Sequence, residues 1–327
     1  MRVVVCPDKF AGTLSAVEAA EAIAEGWLRS RPNDEVTQIP LADGGPGFLE
    51  VLHANLGGQF HPVQVQDPLG RPVDAQWLEH NGTAYIEAAQ ANGLELLAPE
   101  ERDPVRASSF GVGELIAAAA MPRIVVGLGG SATNDGGRGA FEALAGQPVD
   151  GLLLATDVDS PLLGPHGATY GFAPQKGARP EQLPALEQRM QDWAQRDPEL
   201  AQAPGAGAAG GLGFGLMLLG GRRVSGIELV AESVGLTDAC AEADLVITGE
   251  GKFDWQSLHG KVASGVLTAA GKTPVVVLAG TVDVDSPVPA YSLIDEVGRE
   301  RAFAEPAAAL AELAGAIAQV SRRPNQR

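Results

Sequence analysis

The sequence predicts an α/β protein of two domains, and three observations lead there. Both ends of the chain alternate short β-branched runs with helical stretches, the pattern of a parallel sheet. The middle changes texture at about Pro62, where apolar and polar residues alternate as in antiparallel or mixed strands. Five strand-like runs close on glycine-rich, acidic turns of one kind. The reading is a discontinuous outer domain, residues 1–62 plus 234–327, with a mixed α/β domain, 63–233, inserted in it. At 327 residues the chain is long enough for both, and with aromatics at only 5% the core must rest on Ala, Val, Leu and Ile.

Val3–Cys6 reads as a buried strand, and Ser15–Ser30 as a helix with Ser15 at its N-cap and Glu18 completing a capping box. Val36–Pro40 is a second strand and Phe48–Asn55 a helix. VQVQDPLGRPVDAQWLEH and TAYIEAA supply the alternating strands of the middle. Gly111–Ala120 is a helix, IVVGLGG a strand and turn, Arg138–Leu144 a helix and Leu152–Thr156 a strand. Pro184–Arg196 is amphipathic and charged, a solvent-facing helix. The tail returns to βα texture: Ala243–Gly251, then Val275–Gly280, then an Ala-rich helix Pro306–Val320, with SRRPNQR as a frayed end.

Composition removes several function classes. A net charge of −18 argues against nucleic acid as a partner, because that binding rests on neutralising phosphates. Two distant cysteines, Cys6 and Cys240, make no disulfide framework, and the amino-terminal MRVVVCPD has no signal-peptide character; a cytoplasmic protein without a membrane partner is the expectation. The five histidines lack metal-ligand spacing, so a zinc site is not expected. Only five lysines are present, and four of them, Lys9, Lys176, Lys252 and Lys261, fall in Gly- or Asp-rich turns. In an acidic chain that placement points to local anion binding.

The turns are Pro7–Thr13, Ala42–Gly47, Gly129–Gly137, Thr156–Gly164 and Thr248–Asp254. In open α/β sheets ligands bind beyond the carboxyl ends of strands, so these segments are expected to converge on one cleft. Glycine lets backbone N–H groups approach an anion closely. The acidic members, Asp8, Asp43, Asp135, Asp157, Asp159, Glu250 and Asp254, suit Mg²⁺ or a general base. Two glycine motifs mislead. Gly205-x-Gly207-x-x-Gly210 has no strand before it, as a dinucleotide fingerprint needs, and is read instead as a turn opening a helix at Leu212–Leu219. AGKT (Ala270–Thr273) lacks the first glycine of a phosphate loop, since Val266 stands there.

PDKFAGTLSA, PLADGGPGF, GLGGSATNDGG, DVDSPLLG, PQKGA, PGAGAAGGLG and DLVITGEGKFDWQSLHGK together resemble, in order, the motifs of the bacterial class I glycerate kinase family. The resemblance covers essentially the whole chain. It implies two α/β domains, the outer one flavodoxin-like, with an active-site cleft between them. It implies ATP- and Mg²⁺-dependent phosphorylation of D-glycerate, with 2-phosphoglycerate favoured over the 3-isomer, by a monomer or homodimer.

Carried over, it places catalytic roles among Asp8, Asp43, Asp135, Lys9 and Lys176. Binding roles fall on Thr13, Gly129, Gly130, Ser131, Thr133, Asn134, Gly136, Gln175, Gly207, Gly210, Gly211, Glu250, Gln256 and Lys261, and metal ligation on Asp157 and Asp254. Asn134 and Asp135 are expected to face the reacting groups, with Asp8 or Asp135 ahead of Asp43 as base. Lys9, Lys176 and Lys261 form an electrostatic clamp. The chain departs from the family pattern at Lys9, where a serine is usual, Ala11 (a lysine), Pro46 (a glutamate) and Ser160 (an asparagine). A hydroxy-acid dehydrogenase and a non-catalytic metabolite-binding protein stay open as rivals.

Overall fold

In a computed structural model that describes residues 1–10, 12–258 and 260–321, eleven strands form two sheets among the described residues. Ala11, His259 and the end read as frayed, from residue 322 on, lie outside them. The strands are β1 (Arg2–Val5), β2 (Glu35–Gln38), β3 (Gln59–Gln66), β4 (Pro72–His80), β5 (Thr83–Glu87), β6 (Arg123–Gly127), β7 (Leu152–Ala155), β8 (Arg222–Val224), β9 (Leu245–Phe253), β10 (Val275–Val282) and β11 (Ala290–Ser292). The chain divides into two compact units: residues 1–42, 50–56 and 227–327, and residues 43–49 and 57–226. β3, which the sequence reading cut at Pro62, lies whole in the second unit because all eight of its residues pair with β4.

The sheet of the first unit runs β11-β10-β9-β1-β2 and is parallel throughout. Renumbered within the unit, that order is 2-1-3-4-5, the flavodoxin order. β1 is buried because Val3, Val4 and Val5 leave no polar face. Val3, Val5, Leu245, Ile247 and Leu278 pack on one side against Ile23 and Trp27 of helix Ala16–Ser30 and Leu310, Leu313 and Ile317 of helix Pro306–Val320. Phe253, Ala263, Val277 and Ala279 form a smaller cluster. The capping box at Ser15 is made: its side chain accepts from the Glu18 N–H while the Glu18 carboxylate accepts from the Ser15 N–H.

The sheet of the second unit runs β3-β4-β5-β6-β7-β8. β3, β4 and β5 pair antiparallel, while β5 to β8 are parallel. Its core gathers Ile86, Val126 and Leu154 of the sheet with Val112, Leu115 and Ile116 of helix Phe110–Ala119 and Leu212 and Leu216 of helix Ala208–Met217. Helix Leu183–Ala194 departs from expectation. It is not merely solvent-facing, since Leu186, Met190 and Trp193 are buried, the last packed edge-on to Phe141 and Phe214. Charge on its outer face masked an apolar stripe of helical period. Of the two misleading motifs, Gly205–Gly210 leads into a kinked helix start, and AGKT spans the end of helix Val262–Ala270. No helix among the described residues is long and apolar enough to cross a membrane.

Candidate active site

In the second unit, the expected turns pack on one another at the carboxyl ends of β6 and β7. The Gly129 N–H donates to the Gly44 carbonyl at 3.0 Å, and a Cβ on Gly129 would stand 2.2 Å from the Gly45 Cα. The ADGG turn therefore lies directly against GGSATNDGG. Behind them, Glu87 at the end of β5 accepts the N–H groups of Gly47 (3.1 Å) and Leu49 (3.3 Å). Asp43 accepts from the Gly45 N–H at 3.0 Å. Asp157, just past β7, accepts from the Ser225 hydroxyl at 2.7 Å and the Gly226 N–H at 3.0 Å.

Lys176 ties this cluster together. Its Nζ donates to Ser131 Oγ at 2.8 Å and to the Thr133 carbonyl at 2.7 Å, and its side chain is buried. Burial brings its pKa down to about 7, against an opposing pull from Asp135. A neutral amine has two N–H bonds, which these two acceptors use. Ala209, Gly210 and Gly211 run consecutively left-handed, with φ of +52°, +70° and +86°. The conformation brings Gly210 so close that a Cβ there would lie 1.9 Å from the Thr133 oxygen and 2.9 Å from Lys176 Nζ. Only glycine fits, both for its φ and for that approach.

Several expected roles change on this geometry. Asp135 does not stand open to a reacting group: Oδ2 accepts from the Ser109 N–H (2.8 Å), the Ser109 hydroxyl (2.8 Å) and the Gly139 N–H (3.2 Å), and Oδ1 from the Gly137 N–H (3.0 Å). Four donors make it the anchor of helix Arg138–Ala143. The turn's amides are also partly spent internally, those of Gly129, Ala132, Gly136 and Gly137 having carbonyl or carboxylate acceptors. Asn134 is buried and donates to Thr169 Oγ1 at 3.3 Å, while its Oδ1 has no partner. Thr133 is buried beside Asn92, Gly207 and Gly136 are buried, Gly130 is exposed, and Gln175 points to solvent.

The first unit holds a second cluster, at its topological switch point. From β1 the chain steps to β2 on one side, whereas β9, β10 and β11 extend on the other, so β1 and β9 meet at the topological switch point, the position where open α/β sheets bind ligands. Asp8 follows β1, its N–H donating to the Gly249 carbonyl at 2.8 Å and its Oδ1 accepting from the Lys9 N–H at 2.7 Å. Across from it stands Glu250, buried and with an unpartnered Oε1. Burial pushes the Glu250 carboxyl up to about 7; Asp8 adds to the rise, while a Ser257 hydrogen bond and the Lys261 charge oppose it. Thr13 closes the Asp8 loop by donating to the Phe10 carbonyl at 2.9 Å. Asp254 accepts from the Gln256 N–H at 2.9 Å and meets Lys252 Nζ at 3.5 Å. Gln256 is exposed, and Lys261 begins helix Val262–Ala270.

Sequence reasoning missed Glu87, Asn92, Ser109, Thr169 and Ser225, which hold the loops rather than compose them. Only Glu87 left a signal, as a lone acid ending the apolar run TAYI. The rest depend on contacts across 26 to 68 residues.

Fold and loops define the class: a two-unit α/β protein with glycine-rich and acidic turns at the carboxyl ends of its parallel strands. A family model, the glycerate kinase family, matches residues 3–152 and 150–322. The chain belongs to that family. It is 49% identical over 306 residues to an uncharacterized protein of Mycobacterium tuberculosis (strain CDC 1551 / Oshkosh), covering 87% of this chain and 80% of that one. To a glycerate 2-kinase of Escherichia coli (strain K12) it is 38% identical over 341 residues, 91% and 90% of the two chains. A crystal structure from Salmonella typhimurium LT2, assigned as glycerate kinase 2, superposes with a TM-score of 0.81 at 34% identity, covering 97% of each chain.

Proposed function

We propose that this chain transfers the γ-phosphoryl group of ATP to a hydroxyl of D-glycerate, giving ADP and a phosphoglycerate, with the 2-phosphate favoured. The observation that carries the reading is the Asp8–Glu250 pair at the switch point of a flavodoxin-order sheet. One member is buried with a free oxygen, and its pKa is drawn to about 7. A carboxylate whose proton affinity is raised, beside a second carboxylate at a sheet's switch point, is a candidate working site. The name of the Escherichia coli relative supports the 2-position.

Each residue then has a task. Asp8 takes the proton of the attacking hydroxyl. Lys9 and Lys261 hold phosphate charge, since phosphoryl transfer depends chiefly on positioning and electrostatics. Lys176 fixes the Gly129–Gly137 turn by gripping Ser131 and Thr133 from within. Ser131 Oγ, accepting from Lys176, keeps its own proton to donate toward substrate oxygen.

Magnesium comes with the nucleotide phosphates and needs only one or two protein carboxylates. The donor set fits: Glu250 Oε1 is a hard, buried, unpartnered oxygen. Asp254, expected as a ligand, fits less well because Lys252 already lies against it. When bound, the ion neutralises charge on the transferring phosphoryl. A coupled assay with ATP, Mg²⁺ and D-glycerate should release ADP, and NMR of the product should place phosphate on the 2-hydroxyl. ADP release that is indifferent to glycerate would sink the reading.

A further inference from the structure

Helix Leu183–Ala194 buries Leu186, Glu187, Met190, Trp193 and Ala194. Leu186, Met190 and Ala194 need only apolar neighbours. Glu187 and Trp193 carry polar atoms, which burial obliges to find partners. Each finds one in a different candidate site turn of the second unit. The Trp193 Nε1–H donates to the Gly136 carbonyl at 2.9 Å, in the Gly129–Gly137 turn. Glu187 Oε1 accepts from the Gly164 N–H at 2.8 Å, at the end of the Thr156–Gly164 turn. Both turns also press on the apolar side of the helix. A Cβ on Gly136 would stand 2.8 Å from Trp193 Cδ1, and Leu162 is buried in one cluster with Met190 and Trp193.

The indole is itself held from several sides. Phe141 and Phe214 meet it edge-on, with ring centroids at 5.4 and 6.4 Å, and the Arg138 and Arg196 guanidiniums lie 4.9 and 4.5 Å from its centroid. A ring so fixed aims its one donor at a fixed point. At position 187, stability alone would favour an apolar residue, since a buried carboxylate costs desolvation. We propose that this helix is a two-point clamp: Trp193 and Glu187 are positioning residues that set the spacing of the two turns, and with it the fit of the acceptor substrate, D-glycerate. The inference rests on the phosphoryl-transfer reading, in which Ser131 of the first turn meets substrate oxygen while nucleotide phosphate falls to Lys9 and Lys261.

Trp193→Phe keeps a ring against Phe141 and Phe214 but has no N–H to donate. Its KM for D-glycerate should rise about fivefold to tenfold, the worth of one buried hydrogen bond, with KM for ATP unchanged. Glu187→Ala should raise the same KM, and Glu187→Gln, which keeps an oxygen toward the Gly164 N–H, should restore it. In full-length protein without ATP, hydrogen exchange should quicken across both Gly129–Gly137 and Thr156–Gly164, in Trp193→Phe and in Glu187→Ala alike. A parental glycerate KM in these two variants, or an ATP KM that rises in step, overturns the proposal. So does exchange that quickens only in the turn whose own bond was cut, which would leave no clamp. No glycerate-dependent ADP release from the parent would sink the kinase reading instead, and the exchange pattern would still decide for or against the clamp.

Discussion

The two units each bury one ionisable group that burial drives to a pKa of about 7, from opposite directions. In the second unit it is the Lys176 ammonium, lowered; in the first it is the Glu250 carboxyl, raised. They differ in what surrounds them. Lys176 has an acceptor for each N–H of its neutral form, whereas Glu250 keeps an oxygen without a donor. A satisfied buried group is held in place by its partners, whereas a buried carboxylate with an oxygen unmet keeps capacity to accept a further donor or cation. On the proposed reading, that contrast assigns Lys176 to the scaffold and Glu250 to the chemistry.

The largest effect should come from the unsatisfied side. Glu250→Gln and Asp8→Asn should each lower kcat roughly 100-fold or more, with circular dichroism and Tm showing an intact fold; retained turnover would move the chemistry to the other unit. On the satisfied side, Gly210→Ala should cost about 2–5 kcal/mol of stability by denaturant titration, since it adds left-handed strain to overpacking.

Stability against pH sharpens the comparison. Glu250 holds its proton in the fold up to about 7, while the unfolded chain loses it near 4.5, so its contribution is full below 4.5 and is lost as pH rises through 7. Lys176 has the reverse sign: unfolded lysine stays charged to 10.5, so stability rises from 7 toward 10.5 as the folded amine stays neutral. Relative to the parent, Glu250→Gln should remove the acid-side decline, up to about 3 kcal/mol, and Lys176→Met the alkaline-side rise. Parallel Tm curves for parent and variants would defeat the comparison.

The smallest effect should fall on Asp135. Asp135→Asn keeps an acceptor toward most of its four donors, so it should lose only about 1–2 kcal/mol and retain turnover with ATP and glycerate. A dead but folded variant would return Asp135 to the chemistry.

Much of this was legible in the chain. β-branched runs, the Ser15 capping box and the change of texture near Pro62 gave the elements, because local propensity and side-chain period are properties of neighbouring residues. The glycine-rich turns marked where loops pack on one another, because glycine suits backbone that must bend left-handed or touch backbone. Helix Leu183–Ala194 shows the limit of pattern: its charge was visible, but the packing of Trp193 on Phe141 and Phe214 was not.

What the chain alone determined was the inventory: the elements, the turns and which of them carry carboxylates and lysines. Which acid is spent and which is available was decided only by tertiary structure. Asp135 and Glu250 look alike in sequence, each an acid in a glycine-containing segment that follows an apolar, β-branched run. One is surrounded by four donors, two of them from Ser109, 26 residues away, and the other is buried with an oxygen unmet. Solvation and hydrogen bonding set the chemistry of a charged group, and both are fixed by residues that meet only when the chain has folded.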